Sequence, residues 1–417
     1  MHNLANLVEK HQKALATIET WDNGKPYSVS FNEDLEEVKY CLRYYAGWAD
    51  KIHGQTIPTT KAKFAYTIKQ PLGVCAQIIP WNYPLAMAAW KLGPALATGN
   101  TIVLKPAEQT PLSILYFADL VRQAGFPPGV LNIVNGYGRD AGSALCTHPD
   151  INKIAFTGST ATGREIMKMA SSTLKNITLE TGGKSPLIVF DDADLDQAAK
   201  WAYVGILSNQ GQVCTATSRL LVQESIIPQF IKEFVNAINT TAKTGDPFSE
   251  ETTHGPQVSQ IQYDKILKFI DGAKSQGAKL ELGGASAQQS AGKGKGYYIE
   301  PTVFSGVTQD MHIFQEEVFG PVVTITPFKD EAEAIKLANN SIYGLAAAVF
   351  SQNIERAHKA AEKLEAGMVW INSSNDSDPA VPFGGVKQSG IGRELGEAGL
   401  AGYTETKAIH VNLGSKL

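Results

Sequence analysis

The sequence predicts an α/β protein built from two doubly wound, parallel-sheet units. Three observations carry this. Short β-rich runs alternate with helical patterns from Gly73 onward, the same rhythm resumes after Gly183, and the run KIAFTG ends in glycine where a helix begins. In chain order, MHNLANLVEKHQ has the spacing of an amphipathic helix. GVCAQII then predicts a strand, the residues after Pro84 a helix, TIVLK a strand, the residues from Pro111 a helix, and LNIVN and KIAFTG two more strands. These make the first unit. PLIVF, a helix from Asp194, SRLLVQ, a helix from Ile226, then VVTITPF, AAAVF and GMVWIN make the second. Residues 283–296, GGASAQQSAGKGKG, have the composition of a flexible surface loop.

The 417 residues suffice for two or three compact units. With 37 basic and 41 acidic residues well mixed and a net charge of −4, no basic stripe points to nucleic acid and no basic amphipathic helix to a membrane surface, so a small-molecule partner is expected. Cys41, Cys75, Cys146 and Cys214 lie far apart without a CxxC pair, which fits neither a disulfide framework nor a zinc cluster and predicts a reducing compartment. The eight histidines are scattered without HExxH spacing, so no metal is expected. The most apolar stretch, Pro84 to Ala97, is too short for a bilayer and contains Lys91, so the chain is expected to be soluble and intracellular. Ser415, Lys416 and Leu417 form the tripeptide that, at a free carboxyl terminus, is a peroxisomal address, with the cytoplasm as the alternative.

The string NQGQVCTATSR sets Cys214 among small and amide side chains, and Glu180 waits in ETGGKSP. A thiol and an acid suit a covalent enzyme that captures a carbonyl carbon and releases it to water. A buried structural thiol is the plainer alternative. In FTGSTATG, Gly158 permits a tight turn, and Ser159 opens a helix whose free amides can face an anion or simply be capped. Lys105 and Glu108 follow TIVLK, at the strand end where open α/β sheets bind ligands, although both also suit a plain surface. GYGRDAG and GGKS match the dinucleotide and Walker patterns poorly.

IIPWNYP, KPAEQTP, FTGSTATG, ETGGKSP, NQGQVCTATSR, EEVFGPV and PFGGVKQSGIGRELGE occur in an order that resembles the NAD(P)-dependent aldehyde dehydrogenases over nearly the whole chain. DLEEVKYCLRYYAGWAD is similar to the broad-specificity cytosolic and mitochondrial class. The resemblance implies a Rossmann-type cofactor domain over 1–52 and 72–182, an α/β catalytic domain over 183–388, and a small β oligomerisation flap over 53–71 and 403–413. It implies Cys214 as nucleophile, Glu180 as general base, and the Asn82 amide with the Cys214 backbone amide as oxyanion hole. Lys91 and Glu394 match proton-relay positions. For the cofactor it implies Ile79, Pro80 and Trp81, with Lys105 and Glu108 at the adenine ribose, Gly158 and Ser159 at the pyrophosphate, and Glu317 and Phe319 at the nicotinamide riboside. A carboxylate at Glu108 favours NAD over NADP, because it would repel a 2′-phosphate. The assembly implied is a homodimer or homotetramer.

The chain begins several tens of residues later than typical members, which predicts exposed apolar surface or an unpaired sheet edge on the cofactor domain. Thr181 stands where leucine is usual. Ser208 and Ser377 occupy substrate-tunnel positions that are often aromatic, which predicts a wider, wetter pocket walled by Tyr83 and Trp90. Asp376 and Asp378 lie beside it, either attracting a cationic aldehyde or forming a solvated loop. The expected reaction is oxidation of an aldehyde to its acid through a thioester on Cys214. A catalytically silent subunit and a CoA-acylating enzyme are the rivals.

Overall fold

The computed structural model describes residues 1–287 and 296–414, so residues 288–295 of the polar loop and the terminal tripeptide lie outside the described residues. Ahead of the sheets stand helices His2–Lys10, Gln12–Asn23 and Leu35–Ala46. The first buries Leu4, Ala5 and Val8, one stripe of a helix. The amphipathic helix expected over the first twelve residues is in fact two. The backbone turns out of helical geometry at His11 (φ −100°, ψ 14°), whose ring is hydrogen-bonded to the Tyr116 hydroxyl at 2.8 Å.

The connection between the second and third of these helices hides a charge pair. Lys25 is fully buried, ion-paired with buried Asp34, and its ammonium lies 4.0 Å from the Tyr83 ring centroid. Removing one partner strands the other charge away from water. Lys25→Met is therefore expected to lower stability by about 3–5 kcal/mol, seen as a lower urea midpoint by tryptophan fluorescence.

Two antiparallel strands come first, β1 (Thr56–Ile57) and β2 (Lys63–Pro71). Five follow, β3 (Val74–Ile78), β4 (Thr101–Lys105), β5 (Leu131–Ile133), β6 (Lys153–Thr157) and β7 (Asn176–Glu180). The next set is β8 (Pro186–Val189), β9 (Arg219–Gln223), β10 (Lys279–Leu282), β11 (Thr302–Ser305), β12 (Val322–Phe328), β13 (Ala346–Phe350) and β14 (Met368–Ile371). Last come β15 (Gly390–Ile391) and β16 (Thr404–Asn412).

They form three sheets, ordered β15-β7-β6-β3-β4-β5, β10-β11-β12-β9-β8-β13-β14 and β1-β2-β16. The first two are parallel except for the edge strands β15 and β10, as the alternating sequence predicts. In the third, β16 pairs with β2 over nine residues and is the edge strand of the sheet among the described residues. In the first sheet the chain runs outward from β3 through β4 and β5, then returns to place β6 and β7 on the other side of β3. That reversal opens a crevice beyond the carboxyl ends of β3 and β6, where open α/β sheets bind ligands.

Helix Pro84–Ala97 starts just after β3 and is buried along almost its whole length. A helix apolar on all sides belongs in a core. Among the described residues no helix is long and apolar enough to cross a membrane.

Candidate active site

The crevice continues into a cavity of about 380 Å³ between the first two sheets. Its walls come from the segment after β3 (Pro80, Trp81, Asn82), the turn after β6 (Gly158, Ser159), the end of β7 (Glu180) and the loop ahead of β9 (Cys214, Thr215). One space thus joins a helix amino terminus to a cysteine.

The Cys214 loop is held in an uncommon backbone shape. Asn209 (φ 46°) and Gln210 (φ 58°) are left-handed without being glycine, a strain that persists only when surroundings over-determine it. Here the determinants are buried amides. Asn209 Nδ2 donates to the Asn82 carbonyl at 2.9 Å, the Val258 amide donates to Gln212 Oε1 at 3.0 Å, and Asn82 Nδ2 donates to the Gln212 carbonyl at 2.9 Å. Since a primary amide carries two N–H bonds, Asn82 keeps a second donor for the cavity.

The two glycines of ETGGKSP let the link between the sheets pass where no side chain fits. A Cβ on Gly182 would stand 2.4 Å from Glu317 Oε2, and one on Gly183 would stand 2.4 Å from the Cys214 carbonyl oxygen. Gly183 N–H instead donates to Glu317 Oε1 at 2.9 Å. Thr181 donates its hydroxyl to the Gln388 carbonyl at 2.7 Å, tying the residue after Glu180 to a distant part of the chain.

Glu180 is 2% exposed, and neither of its oxygens has a hydrogen-bond donor of normal geometry. Burial pushes its carboxyl up to about 8; Glu394 adds to this and Lys91 opposes it. Burial, and then the neighbouring Glu180, hold the Cys214 thiol well above the ordinary cysteine range, while the Thr215 backbone N–H pulls the other way. The chain's own residues therefore keep this thiol protonated. Burial also lifts Glu317 to about 7, against the Gly183 N–H and Lys265.

Of the other expected residues, Tyr83, Trp90, Ser208, Ser377 and Phe319 line the same cavity. Phe319 (φ 59°) meets Trp81 edge-on, ring centroids 5.3 Å apart. Ser208 adds less polarity than its type suggests, because its hydroxyl donates to the Val204 carbonyl at 2.8 Å. Seven expected residues stand outside the lining. Ile79 is buried and donates its backbone N–H to the Lys105 carbonyl. Lys91 and Glu394 form a buried ion pair behind Thr157, whose hydroxyl accepts from Lys91 at 2.6 Å and which does face the cavity. Lys105, buried, donates to the Pro106 carbonyl at 2.9 Å and lies 3.5 Å from the half-exposed Glu108. Asp376 and Asp378 are exposed beside Ser377. Besides Glu180 and Glu317, the acids that line the cavity are Glu33, Asp34 and Glu37, which the sequence showed only as an acidic run, SFNEDLEE.

The cavity fits a dinucleotide. Ser159 caps the eleven-residue helix Thr160–Ala170 by accepting from the Thr162 amide at 3.2 Å, and the remaining first-turn amides lack partners within the helix, as a pyrophosphate requires. Glu317 and Phe319 line the same cavity as that turn and the thiol.

A model of the aldehyde dehydrogenase family matches residues 1–409. An aldehyde dehydrogenase of Emericella nidulans is 54% identical over 418 residues, spanning 100% of this chain and 83% of the relative. Retinaldehyde dehydrogenase 3 of Homo sapiens is 53% identical, spanning 100% of this chain and 80% of its own length. Among solved structures, the NAD+ complex of an aldehyde dehydrogenase from Bacillus cereus is 51% identical with a TM-score of 0.96, over 99% of this chain and 83% of that one.

Proposed function

This chain belongs to the aldehyde dehydrogenase family, and from that premise we propose how its own residues oxidise an aldehyde to a carboxylic acid with NAD. The observation that carries the assignment of roles is the single cavity shared by Cys214, Asn82 and an unpartnered, buried Glu180.

Cys214 gives up its proton to water in the open cavity, and its sulfur bonds to the carbonyl carbon. Charge then gathers on the former carbonyl oxygen, where the free N–H of Asn82 and the Cys214 backbone amide receive it. Bound NAD supplies the acceptor for the hydride that leaves this carbon. Pro80, Trp81, Gly158, Ser159, Glu317 and Phe319 would hold it, with Lys105 and Glu108 beside the carboxyl end of β4 for the ribose. What remains on Cys214 is a thioester. Glu180 takes a proton from water, the resulting hydroxide adds to the carbonyl carbon, and the sulfur departs as the acid forms. The buried Lys91–Glu394 pair acts on Glu180 through its field and hands protons outward through Thr157.

Purified protein mixed with NAD and simple aldehydes should form NADH at 340 nm, and folded protein inert toward all of them would overturn the roles assigned here. Asn82→Ala should lower kcat by about a hundredfold or more with KM little changed, measured by the same steady-state assay. A catalytically silent subunit is not favoured, since the thiol, the acid and the amide share one open space. Retention of Glu180 favours water over CoA as the acceptor. Glu108 supports a preference for NAD, which initial rates with NAD and NADP would test.

The edge position of β16 supports assembly through strand pairing between copies, as a dimer or tetramer, testable by light scattering. At a free carboxyl terminus, Ser415-Lys416-Leu417 supports peroxisomal import. A fluorescent protein ending in this tripeptide should enter peroxisomes, and one lacking Leu417 should not.

A further inference from the structure

The wall of the cavity built by the start of the third helix and the residues just before it is acidic. Glu33, at the rim, and Glu37, half-buried, line the cavity with Asp34. Lys25 makes its ion pair with Asp34 and reaches Glu33 and Glu37 only through its field, and among the described residues neither of these two takes part in an ion pair. Among the described residues, the lysine that lines the cavity, Lys265, answers instead to Glu317 and Glu316. Glu37 Oε1 accepts a single hydrogen bond of 2.7 Å from Trp90 Nε1. Burial raises the Glu37 carboxyl to about 7; the Trp90 hydrogen bond and Lys25 oppose this, while Asp34 and Glu33 add to it.

Two further polar groups share this cavity with the acids and leave oxygens without a donor of normal geometry. Glu180, 2% exposed and unpartnered, opens into the same space, and so does Asn375, whose Oδ1 is shut off from solvent and accepts no hydrogen bond. The acids also lie near the reacting sulfur. The buried Tyr83 hydroxyl feels Asp34, Glu33, Glu37 and Cys214 together, so one side chain adjoins both groups. A substrate whose carbonyl sits at Cys214 and Asn82 therefore presents its other end to carboxylates and to the rings of Trp90 and Phe383, which pack edge-on with centroids 4.7 Å apart. Desolvated acids and aromatic faces attract cations, ammonium groups above all.

We propose that this site selects aldehydes bearing an ammonium group, primary or quaternary, at the end remote from the carbonyl, with Glu37 and Glu33 receiving its charge. This rests on the aldehyde-oxidising reading of Cys214. The test compares two aldehydes of equal shape, 4-(trimethylammonio)butanal and its neutral isostere 5,5-dimethylhexanal, at fixed saturating NAD and low ionic strength. The ammonium aldehyde should have the higher kcat/KM by about tenfold or more, and added salt should narrow the gap. In Glu37→Gln the charged-to-neutral ratio should fall by about tenfold, and in Glu33→Gln by less, since the rim is better solvated. Equal or faster turnover of the neutral isostere by the wild type overturns this inference while leaving aldehyde oxidation standing. A ratio unmoved in a folded Glu37→Gln variant overturns it too. No NADH from either aldehyde overturns both readings at once.

Discussion

Replacing Cys214 with alanine is expected to abolish NADH formation, with kcat lowered on the order of 10⁴-fold or more, because the covalent route is lost rather than slowed. The variant should fold, since the side chain is small and half-buried at the cavity wall. Its dinucleotide affinity should survive, which equilibrium binding of NAD followed by fluorescence would verify. Substantial turnover in this variant would remove the thioester from the mechanism. Because the chain alone holds the thiol protonated, iodoacetamide should label wild-type Cys214 slowly in the free enzyme and faster once a positively charged nicotinamide ring adjoins it.

Glu180→Gln should separate the two halves of the reaction. Hydride departure does not need the base, whereas attack by water does, so NADH should appear as a burst of about one equivalent per site followed by a steady rate lowered about 10²–10⁴-fold. Hydroxylamine, which cleaves thioesters unaided, should restore the second phase. A variant with neither burst nor rescue would take Glu180 out of acyl release. The wild-type pH profile follows from the same residue. Its carboxyl titrates near 8, and only the ionised form accepts a proton from water. Steady-state rate should therefore rise with pH through about 8 and fall away on the acid side, and the Gln variant should lose that limb.

The sequence announced the architecture because each βαβ unit advertises itself locally. Runs such as TIVLK and PLIVF, with helical patterns between them, require a parallel sheet wherever they occur. The nucleophile loop was legible for a similar reason, a thiol among amides being unusual anywhere. Less visible was what distance in sequence brings together. Glu33 and Glu37 belong to an acidic run that, by pattern, suits a solvated helix face, and only the packing of their helix against Pro84–Ala97 turns them toward the cavity. The Lys25–Asp34 pair was likewise silent, since nothing local marks a lysine as fully buried. Lys105 and Glu108 show the reverse. Their place after β4 is what the pattern predicts, yet their side chains face each other and a backbone carbonyl beside the cavity wall.

The strand bearing Glu180 ends against a clamp from far down the chain. β15 pairs Gly390 with Glu180, the Thr181 amide donates to the Ser389 carbonyl, and Ser389 donates its hydroxyl to the Gly182 carbonyl. The general base is thus held from the far end of the chain, and a polypeptide cut short before Ser389 would leave the strand end that carries Glu180 without its latch.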